Sequence, residues 1–149
     1  MSQQSVRMVL RLVVLSASFE RQFSPLLTSA HGISLSEFLV LSHLSRAPLG
    51  RMRRVDLGAL LSLGNSSVTR ITAPLERDGL VARESDTRDA RVVYTSLTTA
   101  GRSKALEAGS TLDRLSEGLF DDRWSVQEFA DLLTLLGRIG RSVPADGLS

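Results

Sequence analysis

The stretch Asp56–Val81, DLGALLSLGNSSVTRITAPLERDGLV, decides the fold of this chain. Its first part places leucines at positions 57, 60 and 61 on one side of a short helix, and a tight turn follows. Its second part places Val68, Ile71 and Leu75 within about 60° of one another on a helical wheel, because each residue of a helix advances by about 100°. The stretch therefore predicts two consecutive helices joined by a tight turn.

Pro74 lies inside the second of these helices, where a proline costs roughly 3 kcal/mol because it lacks an N–H and crowds the preceding turn. The hydrogen bond that it forfeits would end on the carbonyl of Arg70, beside the exposed face, where water can replace it. The apolar stripe continues beyond the proline to Leu75. We therefore expect the helix to pass through Pro74 and to end at Gly79, the residue type favoured just after a helix C-terminus.

The face opposite the apolar stripe carries short polar or small side chains and few long ones. Its residues are Ser66, Thr69, Arg70, Ala73 and Arg77. Such a face can approach a duplex closely enough to read base edges in the major groove, and the N–H groups near Asn65 and Ser66 can bind a phosphate. A packed helix whose Ser and Thr side chains are merely solvated is the alternative that this segment leaves open.

A β-hairpin is predicted directly after this helix. The segments GLVARES (79–85) and ARVVYTSL (90–97) alternate apolar and polar residues around a turn at 86–89. The turn places Arg88 at its tip, Arg91 on the return strand, and Asp86 and Asp89 beside the tip, where the two acids support the turn. An arginine on such a protruding hairpin can enter a narrow minor groove. An ordinary charged turn is the alternative, but a hairpin directly after a helix–turn–helix is typical of a winged helix.

Further helices flank this unit on both sides. Apolar residues at helical spacing predict a helix over residues 5–30. The capping boxes Ser34 with Glu37 and Ser125 with Glu128 each predict a helix start, and Thr98 or Thr99 caps a long helix between them. The fold class is therefore mainly α with a small β-hairpin wing. Residues 5–30 and 103–143 carry more apolar surface than the lobe over 34–97 can cover, which favours a dimer interface over a monomeric bundle.

Charge is unevenly distributed along the 149 residues. Residues 51–102 hold nine arginines and six acidic residues, a net charge of +3, whereas residues 103–149 hold five basic and eight acidic residues, a net charge of −3. A basic middle segment favours an anionic partner. The lack of cysteine excludes disulfides and thiolate zinc sites.

The sequence does not predict an enzyme, because it has no phosphate-binding loop, no zinc-ligand spacing and no nucleophile beside a histidine. His31 and His43 lack an obvious third ligand, so they are interpreted as a helix-end and a core histidine. Arg11 interrupts the apolar run MVLRLVVL (8–15), which is far shorter than the ~20 residues of a membrane span. A cytoplasmic protein without a cofactor or a membrane partner is expected.

The segment from Asp56 to Arg102, about a third of the chain, resembles the MarR (multiple antibiotic resistance regulator) family of winged helix–turn–helix transcription regulators. The resemblance rests on the opening stretch, on RESDTRDAR (83–91) and on VYTSLTTAGR (93–102). It implies a single domain over 1–149 and a homodimer that binds double-stranded DNA at a pseudo-palindromic operator. It also implies a repressor released by a small ligand, whose identity the sequence does not give. An architectural or protein-docking winged helix without an effector is the alternative.

The resemblance also assigns site residues. The recognition-helix residues are Asn65, Ser66, Ser67, Thr69, Arg70 and Ala73, the wing residues are Arg88 and Arg91, and Asp86 and Asp89 support the wing. Three positions depart from the family pattern. The small residue usual in the first helix of the motif is Gly58 here, which permits close crossing but weakens the helix by ~1 kcal/mol. Gly64 stands where a capping serine is frequent, so Asn65 or Ser66 is expected to cap the helix, and Ala73 stands where many relatives carry an acid that steadies a wing arginine.

Overall fold

The structure is a computed structural model that describes residues 2–120 and 123–142. Within that part of the chain the helices are α1 (Ser2–His31), α2 (Leu35–Arg46), α3 (Arg54–Leu60), α4 (Asn65–Arg77), α5 (Thr99–Glu117) and α6 (Val126–Ser142). The strands are β1 (Arg51–Arg53), β2 (Val81–Ser85) and β3 (Val93–Leu97). The predicted class, mainly α with a β wing, is confirmed. Residue 143, the last of the predicted C-terminal dimerisation segment, lies outside the described residues.

Side-chain caps start three of the helices, as predicted. Ser34 Oγ accepts a hydrogen bond from Glu37 N at 3.1 Å, and Glu37 Oε2 accepts one from Ser34 N at 2.8 Å, which completes the capping box of α2. Ser125 and Glu128 make the same reciprocal pair before α6, at 3.2 and 2.8 Å. These bonds from Ser125 lower the pKa of the Glu128 carboxyl. Thr98 caps α5 by accepting from Gly101 N at 3.0 Å.

The wing contains one strand more than predicted. The sheet is antiparallel in the order β1–β3–β2, and β1 pairs with β3 through Arg51 opposite Ser96 and Arg53 opposite Tyr94. The prediction of a two-stranded hairpin missed β1 because three residues are too few to show an alternating pattern. β1 forms because β3 offers a free edge, which is a tertiary effect that local sequence does not encode.

Helix α4 passes through Pro74, as predicted, and it ends in the expected glycine. Gly79 has φ 70°, its N–H bonds the carbonyl of Glu76 at 3.1 Å, and the N–H of Leu80 bonds the carbonyl of Leu75 at 2.9 Å. The predicted N-cap is wrong. Gly64 is the N-cap, and no side chain caps the helix, because Asn65 and Ser66 already lie inside its first turn.

One hydrophobic core joins the helix–turn–helix to α1, α2 and α5. Its buried members are Leu27, Ile33, Phe38, Val40, Leu41, Leu44, Leu57, Val68, Leu75, Leu80, Val81, Ala105 and Ala108. Of the predicted stripe of α4, Val68 and Leu75 are buried and Ile71 is half-buried against the core. The core thus extends beyond residues 34–97, because α1 and α5 each contribute to it.

Both histidines lie where helices meet. His31 is the last residue of α1, and its Nε2 is 2.8 Å from Thr111 Oγ1 of α5, so this pair ties the two helices together. His43 is half-buried near the end of α2, and burial, followed by the charge of Arg46, lowers its pKa. The neutral imidazole is therefore favoured in the folded chain.

Gly101 is the position at which α5 approaches the wing most closely. A Cβ there would lie 1.9 Å from the Leu80 carbonyl oxygen and 2.8 Å from Leu97 Cδ1. We therefore expect Gly101→Ala to lower the free energy of unfolding by about 3 kcal/mol, measured by urea denaturation. Gly109→Ala in the same helix is the control. Its Cβ would lie 3.8 Å from the Phe38 ring, which is an ordinary contact. Gly109→Ala should therefore raise the free energy of unfolding by about 1 kcal/mol, because alanine has the higher helix propensity. Equal stability of the two variants would contradict the close approach.

Candidate nucleic-acid interface

The two helices of the helix–turn–helix cross closely at Gly58. A Cβ at Gly58 would lie 2.9 Å from the Leu63 carbonyl oxygen and 3.2 Å from Val68 Cγ2. The N–H of Leu63 also donates to the Gly58 carbonyl at 2.8 Å, which closes the turn over the end of α3. The glycine therefore lets the turn fold tightly enough to seat α4 against α3.

The structure exposes the face of α4 that the sequence predicted to meet DNA. Asn65, Ser66, Thr69, Arg70 and Ala73 are exposed, and Ser67 is half-buried. The Thr69 hydroxyl donates to the Asn65 carbonyl at 3.0 Å. Because no side chain caps this helix, the N–H groups of its first turn lack a side-chain acceptor, and such groups can bind an anion at a helix N-terminus.

Asp86 organises the turn of the wing. Its Oδ1 accepts hydrogen bonds from the backbone N–H groups of Arg88 at 2.7 Å and Asp89 at 3.2 Å. The backbone of Asp86 and Val92 closes the turn with a 2.9 Å bond. Arg88 therefore lies on a turn whose backbone is held by Asp86. Its side chain makes no hydrogen bond or ion pair with the residues that the structure describes.

Asp89 holds the second predicted wing arginine. Its two carboxylate oxygens accept from Nε and Nη2 of Arg91, each at 3.0 Å, and its Oδ1 also accepts from the Arg91 backbone at 3.0 Å. These bonds lower the pKa of the Asp89 carboxyl and raise the pKa of Arg91. Of the two predicted wing arginines, Arg88 thus has no side-chain partner among the described residues, whereas Arg91 is paired with Asp89.

The wing and α4 share a cleft of about 390 Å³. Its walls include Asn65 and Thr69 from α4 and Arg91 from the wing. Arg53 and Arg54, which the sequence reasoning missed, complete the basic wall of the same cleft. The available signal was the run Arg51–Arg54, with three arginines in four residues directly before a helix.

A second cluster of side chains joins the wing to β1. The guanidinium carbon of Arg51 lies 4.6 Å from the centroid of the Tyr94 ring, and Arg51 Nη1 is 3.5 Å from Glu84 Oε2. Arg53 lies on the same face of β1 as Arg51 and is paired with Tyr94 across the sheet, and its hydrogen bond with the Tyr94 side chain is the main cause that raises the pKa of Arg53. Tyr94 thus anchors two arginines of β1 at the root of the wing.

Arg54 links the two helices from the inside of the cleft. Its Nη2 donates to Glu76 Oε1 at 3.1 Å and to the hydroxyl of Thr72. The Thr72 side chain is completely buried, and the sequence analysis did not place it in the core. The missed signal lies in the spacing, since positions 72 and 76 are one helical turn apart and share a face of α4.

A helix–turn–helix followed by a hairpin, with β1 completing the sheet and an exposed small-residue face beside Arg88, defines a winged helix–turn–helix protein. Residues 33–93 match the model of the MarR family. Over 72 residues the chain is 39% identical to an uncharacterised HTH-type transcriptional regulator, YkoM, of Bacillus subtilis strain 168. That match spans 48% of this chain and 45% of the relative, so the chain aligns with less than half of the relative's length.

Solved structures match over nearly the whole chain. The transcriptional regulator BldR of Sulfolobus solfataricus superposes with a TM-score of 0.79 at 25% identity, covering 91% of this chain and 96% of BldR. The MarR family regulator Sco3205 of Streptomyces coelicolor, solved in complex with DNA, shares the fold with a TM-score of 0.80 at 22% identity, covering 93% and 87%. Residues 33–93 therefore carry a MarR family domain, and the fold of the chain is that of solved transcriptional regulators of this kind.

The geometry of the wing turn generates a direct prediction. In Asp86→Ala the amides of Arg88 and Asp89 lose their acceptor, so their hydrogen exchange should speed up about fivefold, since one hydrogen bond contributes about 1 kcal/mol. Amide exchange measured by NMR tests this. Asp86→Asn keeps the acceptor oxygen and should retain protection. The control Asp78→Ala removes only an exposed contact with Arg77, so it should leave the wing unchanged. Unaltered exchange in Asp86→Ala would show that Asp86 does not hold the turn.

Proposed function

We propose that this protein binds double-stranded DNA as a homodimer and represses transcription from a pseudo-palindromic operator until a small ligand releases it. The observation that carries the proposal is the cleft between α4 and the wing. Asn65, Thr69 and Arg91 all line this cleft. An element with short side chains fits the major groove, and an arginine on a neighbouring hairpin fits the minor groove. The chain therefore presents one element that suits the major groove, helix α4, and a second that suits the adjacent minor groove, the wing.

The charges of this surface support an anionic partner. Arg70 and Arg88 are exposed and make no hydrogen bond or ion pair with the described residues, so their guanidinium groups are available to phosphate and base edges. Arg53, the N-cap residue of α3, lines the cleft between α4 and the wing. Phosphate contacts from these groups would position α4, and base contacts from α4 would give sequence preference.

Arg70 and Arg88 should divide this work differently. Arg70 lies in the first two turns of α4, so Arg70→Ala should cost ~1–3 kcal/mol on the preferred duplex and relax the preference at one position per half-site. Arg88 lies on the wing, where shape and charge are read, so Arg88→Ala should weaken all sequences alike and lower the salt slope by about one unit per wing. In a dimer each effect appears twice, at half-sites ~34 Å apart.

The measurement is a binding titration at several salt concentrations against two duplexes. One is a duplex that the wild-type protein selects from a randomised pool, and the other is a scrambled version of it. Arg114→Ala, which removes an exposed arginine from α5, controls for the change in net charge. Equal losses on both duplexes for Arg70→Ala would make Arg70 a phosphate contact. An Arg88→Ala variant with wild-type affinity would show that the wing does not touch DNA.

The terminal helices support the homodimer. In the single chain, the first two-thirds of α1 expose a row of large apolar side chains, with Val13 at 61% and Val14 at 64% exposure. Helix α6 exposes Phe129, Leu133, Leu136 and Ile139, although an amphipathic helix of this length depends on packing for its stability. Apolar surface on this scale marks an interface. A second copy of the chain, carrying the same two faces, covers it.

Light scattering at micromolar concentration should therefore give about twice the 16.2 kDa mass of one chain. Val13→Glu with Leu133→Glu places charges on both apolar faces and should shift the population toward monomer. Leu49→Glu is the matched control, because Leu49 is 87% exposed on the turn between α2 and β1. A wild-type monomer that still binds the selected duplex tightly would overturn the dimer proposal.

A cavity between α2 and α5 supports release by a ligand. It holds about 520 Å³, and its lining combines the Phe38 ring and Leu106 with Arg46, Arg102 and Ser42. Two guanidinium groups beside apolar side chains suit a small organic acid, although the Asp113 carboxylate also lines the cavity. If no small molecule weakens binding to the selected duplex, the protein is instead an architectural winged helix. No helix within residues 2–120 and 123–142 is long and apolar enough to cross a membrane.

A further inference from the structure

We propose that Arg54 is the positioning residue of the recognition helix. It fixes the orientation of α4 relative to α3, and thereby sets how Thr69 and Arg70 enter the major groove. Arg54 is the first residue of α3, and its guanidinium reaches Thr72 and Glu76 in the second half of α4. The inference rests on the proposed DNA binding by α4 and assigns a role to a residue outside its exposed face.

The contact is directional and largely shielded from water. The side chains of Arg54 and Glu76 are 17% and 29% exposed, and Thr72 is fully buried between them. A guanidinium donates from a rigid planar fork, so it constrains the direction of its acceptors as well as their distance. Because Thr72 and Glu76 are one turn apart on the same face of α4, the two bonds together restrict rotation of α4 about its own axis.

A stabilising role alone does not explain this cluster. An ion pair removed from water contributes little to stability compared with apolar side chains of similar volume, because desolvation offsets the attraction. The cluster is also incomplete, since the buried Nε of Arg54 has no hydrogen-bond partner among the described residues. Apolar residues at 54, 72 and 76 would give a more stable crossing but a less directional one.

The cluster is connected to the DNA-facing side of α4. Thr72 Oγ1, which receives the bond from Arg54, lies 3.4 Å from the carbonyl oxygen of Thr69, one turn closer to the helix start. Asn65 and Thr69 lie in the same cleft as Arg54. A rotation of α4 that breaks the Arg54 contacts therefore moves Thr69 and Arg70 relative to the wing, whose own position is fixed by β1 and β3.

The test compares the affinities of folded variants for two duplexes, one selected by the wild-type protein from a randomised pool and one scrambled. Thr72→Val is the main variant, because it removes the hydroxyl at nearly constant shape and leaves the net charge unchanged. Arg54→Met removes the fork, and Arg54→Met with Glu76→Leu removes the whole charge pair. Arg114→Met, which removes an exposed arginine of α5 that bonds Thr111 of the same helix, is the control for the loss of one arginine. Circular dichroism establishes the folded fraction of each variant.

We expect Thr72→Val and Arg54→Met to lower the ratio of selected to scrambled affinity about tenfold, a size typical of coupled neighbouring groups. The double variant should recover thermal stability relative to Arg54→Met but not the ratio, and Arg114→Met should keep the wild-type ratio. Partial unfolding cannot imitate this result, because it lowers both affinities by the same factor.

Two outcomes overturn the inference. If Arg54→Met lowers both affinities equally and reduces the salt slope by about one unit, Arg54 is a phosphate contact. If Thr72→Val and the double variant both keep the wild-type ratio, the cluster does not orient α4. Failure of the proposed function looks different, because a wild-type protein that does not read sequence selects no duplex from the pool.

Discussion

Burial of one face of α4 is the constraint on which the rest of the structure depends. Val68, Thr72 and Leu75 point into the core against α2 and α3, so the opposite face of the same helix must point outward. That requirement explains the tolerance of Pro74, which is only half-buried and interrupts hydrogen bonding on a flank rather than in the apolar seam. It also explains the short side chains of the outer face. A helix that is buried on one side can enter a groove only with its opposite side, and short side chains let that side approach the duplex closely.

The two arginines proposed to meet DNA are prepared in different ways. Arg70 extends from a helix whose rotation is set by packing and by the bonds of Arg54, so its reach is fixed by elements behind it. Arg88 extends from a turn held by Asp86, so its backbone is fixed while its side chain stays free. Asp89 forms a two-point ion pair with Arg91 and not with Arg88. An absent acid at Ala73 is therefore compensated by acids within the wing, which stabilise the turn without neutralising its tip.

Most of the architecture could be predicted because it follows from short-range patterns. The capping boxes at Ser34 and Ser125, the stripe of α4 and the glycine at 79 are all local signals, and each element appears where those signals place it. The missed features depend on partners that are distant in sequence. Strand β1 exists because β3 has a free edge, and Thr72 is buried because Arg54, 18 residues away, supplies its partner. A pattern that counts only apolar residues does not predict the burial of a polar residue such as Thr72.

The long helices connect the two halves of the proposed mechanism. Helix α1 lies in two environments: Phe23 and Leu27 are buried on the lobe, whereas Val13 and Val14, three turns earlier, are exposed. Helix α5 likewise contributes Ala105 and Ala108 to the core and bonds α1 through Thr111 and His31. If the exposed parts of α1 and α6 form the dimer seam, the distance between two copies of α4 is set through these continuous helices. A ligand between α2 and α5 would then act where the dimer interface joins the winged-helix lobe. A small change in helix packing at that place alters the spacing of both recognition helices at once.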